Sequence, residues 1–561
     1  MTSLRVTYGS ARDPRYPLAS DYIHAYGRVA RLYDYSPHDP AAYLRRAAEL
    51  EAFPGDRDTL ARRLVAYGER LGAPPASLAM AARLADPGAV VVIGGQQPGV
   101  LTGPLYTFWK AATILQLAKA LRSRLGPSRP VVPVFWIGAE DHDLGEVASL
   151  VVQKPGGEIV RLAYDPGPGF PVRTSVGFLP AWPAAEPLLR DLEQTFWPTE
   201  FRDRVLDLLR STARASADLG EWFGRLLLHL FGAEGLVVAN PLEPEIRALE
   251  APLLEAAVRE SESVSALLAE AAETVTGLGY PPQVEVDPAS ANLYLYRGTE
   301  RVLLRRRAVE GAGVRFVAGT GPEERVLTGA ELTSLARSSP QSLSTNVVLR
   351  PLAQDTVFPV LAYVGGPGEI SYFGLFGPVY RHLGRRLPVI YPRPNVTLVE
   401  PAVGRHLARS GLSPEQALDL KTLGDARSRY LAEVDPVGID DLFARLVRSV
   451  RQAYAELSPS LARLDPSLSE LAAKNLGRVT AEIEWLRGKA WQQHRQNCRE
   501  AVARYAAIET SFRPLGDYQE RVFNIFAFLA KYGPDLAPRL VGTPLVPPDL
   551  TVEARHRFVH L

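Results

Sequence analysis

A loop rich in glycine and glutamine near residue 95 carries the first residues whose types suggest ligand binding. The apolar run VVVI at 90–93 is typical of a strand buried on both faces, and the loop at 94–103 leads into a helix expected at about 104–123. Glycines after a strand let backbone N–H groups approach a phosphate or carboxylate, and a helix N-terminus favours such an anion. The candidate binding residues are Gly95, Gln96, Gly99, Thr102, Gly103, Tyr106 and Lys110, and Gln97 is a candidate catalytic residue.

The same loop also allows a purely structural interpretation, as a turn. Its glycine spacing does not fit the dinucleotide pattern G-x-G-x-x-G, and it lacks the Gly-Lys-Ser/Thr ending of a P-loop. Lys110 could equally be a solvated helix lysine. The adjacent Gln96 and Gln97 favour a ligand, because two amides beside a tight turn are more useful to a ligand than to a core.

An acidic cluster with one histidine follows the apolar strand pattern at 131–137. Asp141, His142 and Asp143, preceded by Glu140, are the candidate catalytic residues. Three carboxylates around one imidazole need solvent, cations or a ligand to offset their repulsion. Such a cluster can bind a metal, orient an amine, or hold a histidine as an acid or base. A zinc site is not favoured, because the nine histidines are scattered and Cys498 stands alone; solvated loop acids are the remaining alternative.

A third group of polar residues lies between 346 and 400, beside strand ends and a turn of sequence GGPG at 365–368. An arginine at a strand end can clamp a carboxylate or phosphate with two hydrogen bonds. Each arginine alone would be a surface or ion-pair residue, so it is the grouping that favours a site. The candidate binding residues here are Arg350, Gln354, Asp355, Gly366, Glu369, Tyr372 and Arg393.

The elements between these groups predict an α/β fold with a Rossmann-like parallel sheet. A strand at 90–93, the helix at 104–123 and a strand at 131–137 form a β-α-β unit, and a further buried strand is expected within 235–241. Ligands of open parallel sheets bind at the carboxyl ends of the strands. The first two groups should therefore form two walls of one cleft, completed by the segment from Arg350 to Arg393.

The domain prediction places a Rossmann-like core with N-terminal helices at 1–400, with inserted modules at about 154–230 and 281–335. A helical coiled-coil domain follows at 401–510, and residues 511–561 return to the core. The coiled coil rests on apolar residues spaced by four and three: Phe443, Val447, Val450, Tyr454, Leu457, Leu461 and Leu464, then Ala472, Leu476, Val479, Ile483, Leu486 and Ala490. Pro459 should bend the first helix. The surplus apolar seam predicts a homodimer, with a helical appendage packed on its own core as the alternative.

Composition narrows the class of protein. The 561 residues include 63 basic and 62 acidic side chains, which argues against a nucleic-acid partner and favours small molecules. The single cysteine precludes an intrachain disulfide framework. The N-terminus lacks the plan of a signal peptide, and no window approaches the length of apolar chain that spans a bilayer. We therefore expect a cytoplasmic protein without a membrane partner.

Four segments resemble the signature segments of the BshC family: GGQQPGVLTGPLYTFWKAATILQLAKA, PVFWIGAEDHDLGEV, LRPLAQDTVFPVLAYVGGPGEISYF and VIYPRPN. The resemblance extends over nearly the full chain, including the heptad hairpin and the closing YQERVFNIFAFLAKYG. It implies a Rossmann-like core with connecting modules and a coiled-coil domain used for dimerisation. It also implies a cysteine ligase that adds L-cysteine to the amine of glucosaminyl-malate in bacillithiol synthesis.

Such a reaction implies ATP as a co-substrate with Mg²⁺. The glycine–glutamine loop would hold a phosphate or the bound acid, and Arg350 and Arg393 would hold malate or phosphate. Asp141, His142 and Asp143 would recognise an amine, with His142 the leading candidate for proton transfer.

The family is also compared with class I aminoacyl-tRNA synthetases, but this chain lacks their signature histidines and their Lys-Met-Ser-Lys-Ser loop. Activation through an adenylate or an acyl phosphate therefore stays open. The rival hypothesis is a synthetase-like fold that binds a nucleotide, a metabolite or tRNA without ligase activity.

Overall fold

A computed structural model describes residues 4–10, 13–309 and 313–561 of the chain. Two compact units make up the chain: Met1–Leu398 with Gln519–Val559, and Val399–Tyr518 with His560–Leu561. The predicted core and its second insert include residues 1–3, 11–12 and 310–312, which lie outside the described residues.

The strands in chain order are β1 (Arg5–Gly9), β2 (Val90–Gln96), β3 (Val131–Ile137), β4 (Ser149–Gln153), β5 (Ile159–Ala163), β6 (Val237–Ala239), β7 (Ser290–Arg297), β8 (Glu300–Val309), β9 (Gly313–Ala318), β10 (Arg325–Thr328), β11 (Leu343–Thr345), β12 (Val360–Gly365), β13 (Val389–Pro392), β14 (Val396–Val399) and β15 (His556–His560).

The helices up to the end of the parallel sheet are α1 (Pro17–His24), α2 (Pro40–Glu49), α3 (Arg57–Leu71), α4 (Pro75–Ala82), α5 (Leu105–Leu125), α6 (Leu144–Val147), α7 (Ala185–Thr195), α8 (Arg202–Arg214), α9 (Leu219–Phe231), α10 (Pro244–Leu249), α11 (Ala251–Arg259), α12 (Ser261–Gly277), α13 (Gly329–Ser338), α14 (Arg350–Val357) and α15 (Pro367–His382). The later helices are α16 (Pro401–Ser410), α17 (Pro414–Leu418), α18 (Leu420–Glu433), α19 (Ile439–Leu464), α20 (Pro466–Asn497), α21 (Arg499–Phe512), α22 (Gln519–Val522), α23 (Ile525–Tyr532) and α24 (Leu536–Val541).

The centre of the first unit is a parallel sheet of strand order β13-β12-β2-β3-β6. The chain runs from β2 outward through β3 to β6, and later returns to the other side of β2 with β12 and β13. The strand order therefore reverses between β2 and β12, which is where ligands bind in open parallel sheets. The predicted Rossmann-like α/β class is confirmed.

Burial explains why the central strands are almost continuously apolar. Every residue of β3 is buried, as are the first five residues of β2. Helices α2, α4, α5, α9 and α15 pack against this sheet, so its strands have no solvent-facing side. Helix α5 is buried around most of its circumference, and among its buried side chains is one charged residue, Lys110.

The predicted inserts contain antiparallel strands. Strands β4 and β5 form a hairpin, and β10-β9-β8-β7-β11 form a five-stranded antiparallel sheet that occupies most of the segment at 281–335. A third sheet has the order β1-β15-β14. The strand-rich prediction for 281–335 is thus confirmed, and the helical pattern predicted for 184–231 consists of the three helices α7, α8 and α9.

The second unit contains the predicted pair of long helices, α19 and α20, joined at Asp465 and packed against each other. Trp491 donates to Asp440 over 3.0 Å, which fixes the antiparallel alignment near the base of the pair. Three residues of the predicted seam, Leu457, Leu464 and Leu486, are 48%, 79% and 51% exposed, so the partner helix does not cover them. A straight α-helix drifts about 20° per heptad from a strict seven-residue repeat, so distant positions rotate away from the partner. The predicted homodimer stays a prediction.

No helix within the described residues combines the length and the apolar character needed to cross a membrane.

Candidate functional site

A cavity of about 380 Å³ lies at the carboxyl ends of β2 and β12, at the point where the strand order reverses. Residues of the first and third predicted groups meet here, together with residues from distant segments. The lining consists of Tyr16, Gly95, Gln96, Gln97, Tyr106, Lys110, Glu146, Gln283, Arg350, Gly366, Pro367, Gly368, Glu369, Tyr372, Arg393 and Arg521. We call it the strand-end cavity.

A buried ion pair between helices α5 and α15 lies at the base of the strand-end cavity, beside the ends of β2 and β12. The Nζ of Lys110 donates to Glu369 Oε2 over 2.6 Å and to the carbonyl oxygen of Gly95 over 2.6 Å. Glu369 also accepts hydrogen bonds from the Gly366 N–H and the Tyr363 hydroxyl. Burial acts to raise the pKa of Glu369, but Lys110 and these hydrogen bonds outweigh it and lower that pKa. The carboxylate is therefore ionised, and Lys110 is not a solvated lysine.

Two arginines line the strand-end cavity without an ion-pair partner. In the part of the chain that the structure describes, no carboxylate lies within 4.0 Å of the guanidinium of Arg350 or Arg521. Arg350 donates to the Tyr372 hydroxyl over 2.9 Å, and Arg521 lies over the ring of Tyr16. A guanidinium that is not paired within the protein is suited to a carboxylate or phosphate ligand.

Arg393 also lines the strand-end cavity, but its charge is already compensated. Its two Nη atoms donate to both carboxylate oxygens of Glu520 over 3.0 and 2.8 Å. Glu520 in turn accepts from the backbone N–H of Val396. This two-pronged pair makes Arg393 a structural link between the end of β13 and helix α22. Of the two arginines predicted from sequence, Arg393 is therefore paired with a carboxylate, and Arg350 has none within 4.0 Å in the described residues.

A second cavity, of about 520 Å³, adjoins the first and shares Gln283 with it. Asp141 and His142 line this second cavity. Gln97 connects the two, because it lines the strand-end cavity and its Nε2 donates to Asp141 Oδ2 over 2.6 Å. We call the second cavity the His142 cavity. The sequence predicted two walls of one cleft, and the structure instead shows two adjoining cavities.

Asp141 is a partly buried carboxylate that stays ionised. Burial acts to raise its pKa, but the positive charge of Arg301 and the hydrogen bond from Gln97 lower it overall. The backbone N–H of His142 also donates to Asp141 Oδ1 over 2.8 Å. An ionised carboxylate facing a cavity can hold a substrate ammonium group.

Asp143 and Glu140 have roles other than those expected for a cluster around one imidazole. Asp143 is the N-cap of α6 and accepts from the Glu146 N–H over 3.3 Å; it lines a third cavity, of about 540 Å³, together with His142. Glu140 is buried and pairs with Arg247, which also binds Glu250. The expectation of three carboxylates around His142 is therefore wrong, because one of them points into a separate buried ion-pair cluster.

The glycines after Ile93 serve strand packing rather than an open phosphate loop. Gly94 and Gly95 lie within β2, where a Cβ would come within 2.9 Å of the carbonyl oxygens of Val364 and Trp136 respectively. The neighbouring strands therefore exclude a side chain at both positions.

Replacing Gly95 by alanine should destabilise the protein by about 1–3 kcal/mol, because the added Cβ would collide with a strand carbonyl that cannot rotate away. Chemical denaturation at neutral pH measures the change. Gly424→Ala is the matched control: nothing lies within 4 Å of a Cβ there, and its helix α18 should gain up to about 1 kcal/mol. Equal effects of the two substitutions would contradict this explanation.

The turn that precedes α5 is closed by the C-terminal segment. Leu101, Thr102 and Gly103 have φ angles of 52°, 69° and 69°, and Asn524 donates to the carbonyl oxygens of Leu101 and Gly103. The Leu105 N–H at the start of α5 donates to Phe523. Gly99, Thr102 and Gly103 are not among the described residues that line the strand-end cavity. Three of the loop residues predicted to bind an anion therefore lie outside this cavity.

Gln354 and Asp355 are buried in α14 and, among the described residues, line neither the strand-end cavity nor the His142 cavity. Asp355 lies 3.7 Å from Arg46, and its carboxylate oxygens have no hydrogen-bond partner in the described part of the chain. Burial raises the pKa of Asp355 to about 6, although Arg46 and Arg385 oppose the shift. Both residues were predicted as ligand contacts from their proximity to Arg350, but their side chains point into the protein interior.

Asp355→Asn should stabilise the protein at neutral pH and have little stability effect near pH 4. Burial raises the pKa of Asp355 from its ordinary value of 3.8 to about 6 in the folded protein. The contribution of Asp355 to the stability of the wild-type protein is therefore fully present below about pH 4 and is lost as the pH rises through about 6, where the buried carboxyl group ionises. Thermal unfolding of the wild-type protein and of Asp355→Asn, from about pH 4 to neutral pH, measures the difference in stability. The exposed Asp207→Asn serves as the control. A stability difference that does not depend on pH would contradict the assignment.

The family of the chain follows from comparison with known proteins. Residues 1–394 match the family described as "Bacillithiol biosynthesis BshC, N-terminal Rossmann-like domain", and residues 396–549 match "Bacillithiol biosynthesis BshC, C-terminal coiled-coil domain". The chain belongs to the BshC family. The predictions of BshC membership, of a Rossmann-like domain and of a coiled-coil domain are confirmed.

Individual BshC relatives are similar over almost their whole length. The protein from Symbiobacterium thermophilum is 39% identical over 95% of this chain and 96% of its own length. Those from Desulforamulus reducens and Carboxydothermus hydrogenoformans are each 34% identical, over 93% and 94% of this chain and 94% and 95% of their own lengths. All three are named "Putative cysteine ligase BshC". The predicted enzyme class, a ligase, is confirmed at the level of the family.

Several residues that line the strand-end cavity or the His142 cavity were not identified from the sequence. Arg301 lies in the strand-rich insert and Arg521 in the closing segment YQERVFNIFAFLAKYG, and neither segment was among the three polar groups. Tyr16 and Gln283 lie far from those groups in sequence, and Glu146 lies in the segment PVFWIGAEDHDLGEV but was not selected there. Within the described residues, no group of three or more histidine, cysteine, aspartate or glutamate side chains is arranged to hold a metal ion.

Proposed function

We propose that this BshC-family ligase joins the carboxylate of L-cysteine to the glucosamine amine of glucosaminyl-malate, which would yield bacillithiol. One observation carries the proposal. Among the described residues, Arg350 and Arg521 line the strand-end cavity without a carboxylate within 4.0 Å, and Arg350 lies near Asp141, an ionised carboxylate of the adjoining cavity. The names of the relatives and the family description support the same reaction.

The substrates match this distribution of charge. Malate and cysteine bring carboxylates, and ATP brings phosphates; these anions share the chemistry that guanidinium groups bind. The amines of cysteine and glucosamine are the complementary cations for Asp141. Arg350 and Asp141 are close enough for each to affect the other's pKa, so one substrate could contact both.

Carboxylate activation would come from ATP with Mg²⁺, because a free carboxylate is a poor electrophile at neutral pH. Transfer of an adenylyl or phosphoryl group to the cysteine carboxylate would give a mixed anhydride. The amine nitrogen would then form a bond to the acyl carbon as the bond between that carbon and the bridging phosphoryl oxygen breaks. AMP or inorganic phosphate would leave, and one amine proton would pass to solvent. Mg²⁺ usually binds through substrate phosphates and one or two carboxylates, and Glu146 in the strand-end cavity is the carboxylate available for that contact.

The test is a reaction of the purified full-length protein with L-cysteine, glucosaminyl-malate, ATP and Mg²⁺. Mass spectrometry should detect bacillithiol only when all components are present, and chromatography of the nucleotide distinguishes AMP from ADP as the product. Failure to form bacillithiol, with substrates that still raise the melting temperature, would favour a binding protein of the same fold. A shift of total tRNA in electrophoresis at physiological salt would favour a tRNA-linked function.

A further inference from the structure

The imidazole of His142 is in contact with a buried arginine. Arg301 Nη1 lies 3.4 Å from His142 Nδ1, within the range of a long hydrogen bond. Arg301 comes from β8 of the antiparallel insert, 159 residues away in sequence. Asp141 Oδ1 lies 4.0 Å from the same nitrogen, which is too far for a hydrogen bond.

The chemistry of the two groups fixes the direction of this hydrogen bond. A guanidinium carries only donors and is not deprotonated in proteins, so it can approach only a nitrogen that has a free lone pair. His142 Nδ1 is therefore the acceptor. In a neutral imidazole the single proton must then be on Nε2.

Arg301 is itself held rigidly in this position. It is 6% exposed, its Nε donates to the Ser344 hydroxyl over 2.9 Å, and its Nη2 donates to the Thr345 carbonyl oxygen. The ring of Tyr294 lies 4.0 Å from the guanidinium carbon and also contacts the His142 ring edge-on. Three residues on two strands, Tyr294 of β7 and Ser344 and Thr345 of β11, thus fix the arginine that contacts the histidine.

The charges around His142 favour the neutral ring. Burial lowers the pKa of His142, and Arg301 and Arg173 lower it further, whereas Asp141 and Asp143 oppose the shift. These are the charged groups that face the ring from its own loop, from β8 and from the segment at 166–174.

We infer that Arg301 is a positioning residue that holds His142 as a neutral Nε2–H donor, so that His142 donates a hydrogen bond to an oxygen of the substrate and does not act as a general base. A neutral imidazole whose lone pair faces a guanidinium has no second lone pair for a substrate proton. This inference rests on the proposed function for the identity of the substrate. It differs from the sequence-based hypothesis that His142 transfers a proton, and the measurements below distinguish the two. The suitable acceptor is the carbonyl oxygen of the activated acyl group, which gains negative charge as the amine attacks.

The protonation state can be measured without any substrate. Long-range ¹H–¹⁵N correlation spectra of protein labelled with ¹⁵N-histidine distinguish a protonated ring nitrogen from one with a lone pair, and the signals lost in His142→Gln identify the residue. At pH 7.5 we expect a protonated Nε2 and an unprotonated Nδ1. A protonated Nδ1 would overturn the inference even if the enzyme is fully active.

The kinetics of the Arg301→Met variant provide a second test. Without the guanidinium, Nδ1 can carry the proton and turn toward Asp141, which leaves Nε2 without a hydrogen to donate. We expect kcat at pH 7.5 to fall about 10- to 100-fold, as for other residues that orient a functional imidazole. The deficit should narrow as the pH falls, because a protonated imidazole regains the Nε2–H, and Arg301→Lys should restore part of the activity.

The opposite pH profile would contradict the inference. If His142 were a general base, removing Arg301 would raise the pKa of His142 and free its Nε2 lone pair, so activity near neutral pH would be kept or increased and would fall on acidification. Circular dichroism and melting temperature identify a variant that has not folded, and the spectrum of the wild-type protein then decides the question. Absence of ligase activity in the wild-type protein would overturn the proposed function without changing the spectroscopic result.

Discussion

Replacing Lys110 by methionine should destabilise the protein by about 3–5 kcal/mol, the cost expected when one partner of a buried ion pair is removed. Lys110 is 2% exposed, and its ammonium group holds both Glu369 and the carbonyl oxygen of Gly95. The substitution would leave an ionised carboxylate at the ends of β2 and β12 without its counter-charge. Urea denaturation at neutral pH measures the loss.

A double-mutant cycle separates the ion pair from simple packing. Glu369→Met alone should also be strongly destabilising, because it leaves the ammonium group of Lys110 buried and uncompensated. The double variant should be clearly more stable than the sum of the two single losses predicts, since it contains no unpaired charge. Lys119→Met on the same helix is the matched control; Lys119 is exposed, so its replacement should change stability by less than about 0.5 kcal/mol. Additive single losses would show that the two residues are not coupled.

The parts of the fold predicted from sequence are those encoded by local patterns. The apolar runs of β2 and β3 identified buried strands because a strand covered on both faces needs no polar positions. The spacing of apolar residues likewise identified α19 and α20. The seam was less accurate at Leu457 and Leu486, because the exact rotation of each helix depends on its supercoil and not on its residue order alone.

The candidate site was predicted less completely, because its contacts join segments that are distant in sequence. Lys110 and Glu369 were both identified, but their pairing across 259 positions follows from the placement of β12 beside β2. Arg301 reaches His142 only because the antiparallel insert folds back onto the loop after β3. Asp355 shows the opposite error: it follows Arg350 closely in sequence, yet the turn of α14 directs its side chain into the interior.

Arg350→Met should reduce kcat/KM by the equivalent of about 2–5 kcal/mol, which corresponds to a loss of roughly 30- to several-thousand-fold. The reason is that an anionic substrate group would enter the strand-end cavity without the guanidinium that neutralises it. The stability of the free protein should change much less. Within the described residues no carboxylate lies within 4.0 Å of Arg350, and the more distant Glu369 and Asp141 favour its charged form against the cost of burial, so no close ion pair is lost in the variant.

Thermal unfolding with and without malate or ATP completes the test of Arg350, since a ligand that binds the folded state raises the melting temperature. Malate should stabilise the wild-type protein but not Arg350→Met if the arginine holds a substrate carboxylate, and the same difference with ATP alone would assign it to a phosphate. Arg381→Met is the control, because Arg381 is 51% exposed, pairs with Asp34 and lines neither described cavity. A variant that is both less stable and fully active would mean that Arg350 supports the fold and not the ligand. The combination of lost activity with retained stability distinguishes a binding residue from a structural one, because the loss then comes from the missing contact with the ligand and not from unfolding of the protein.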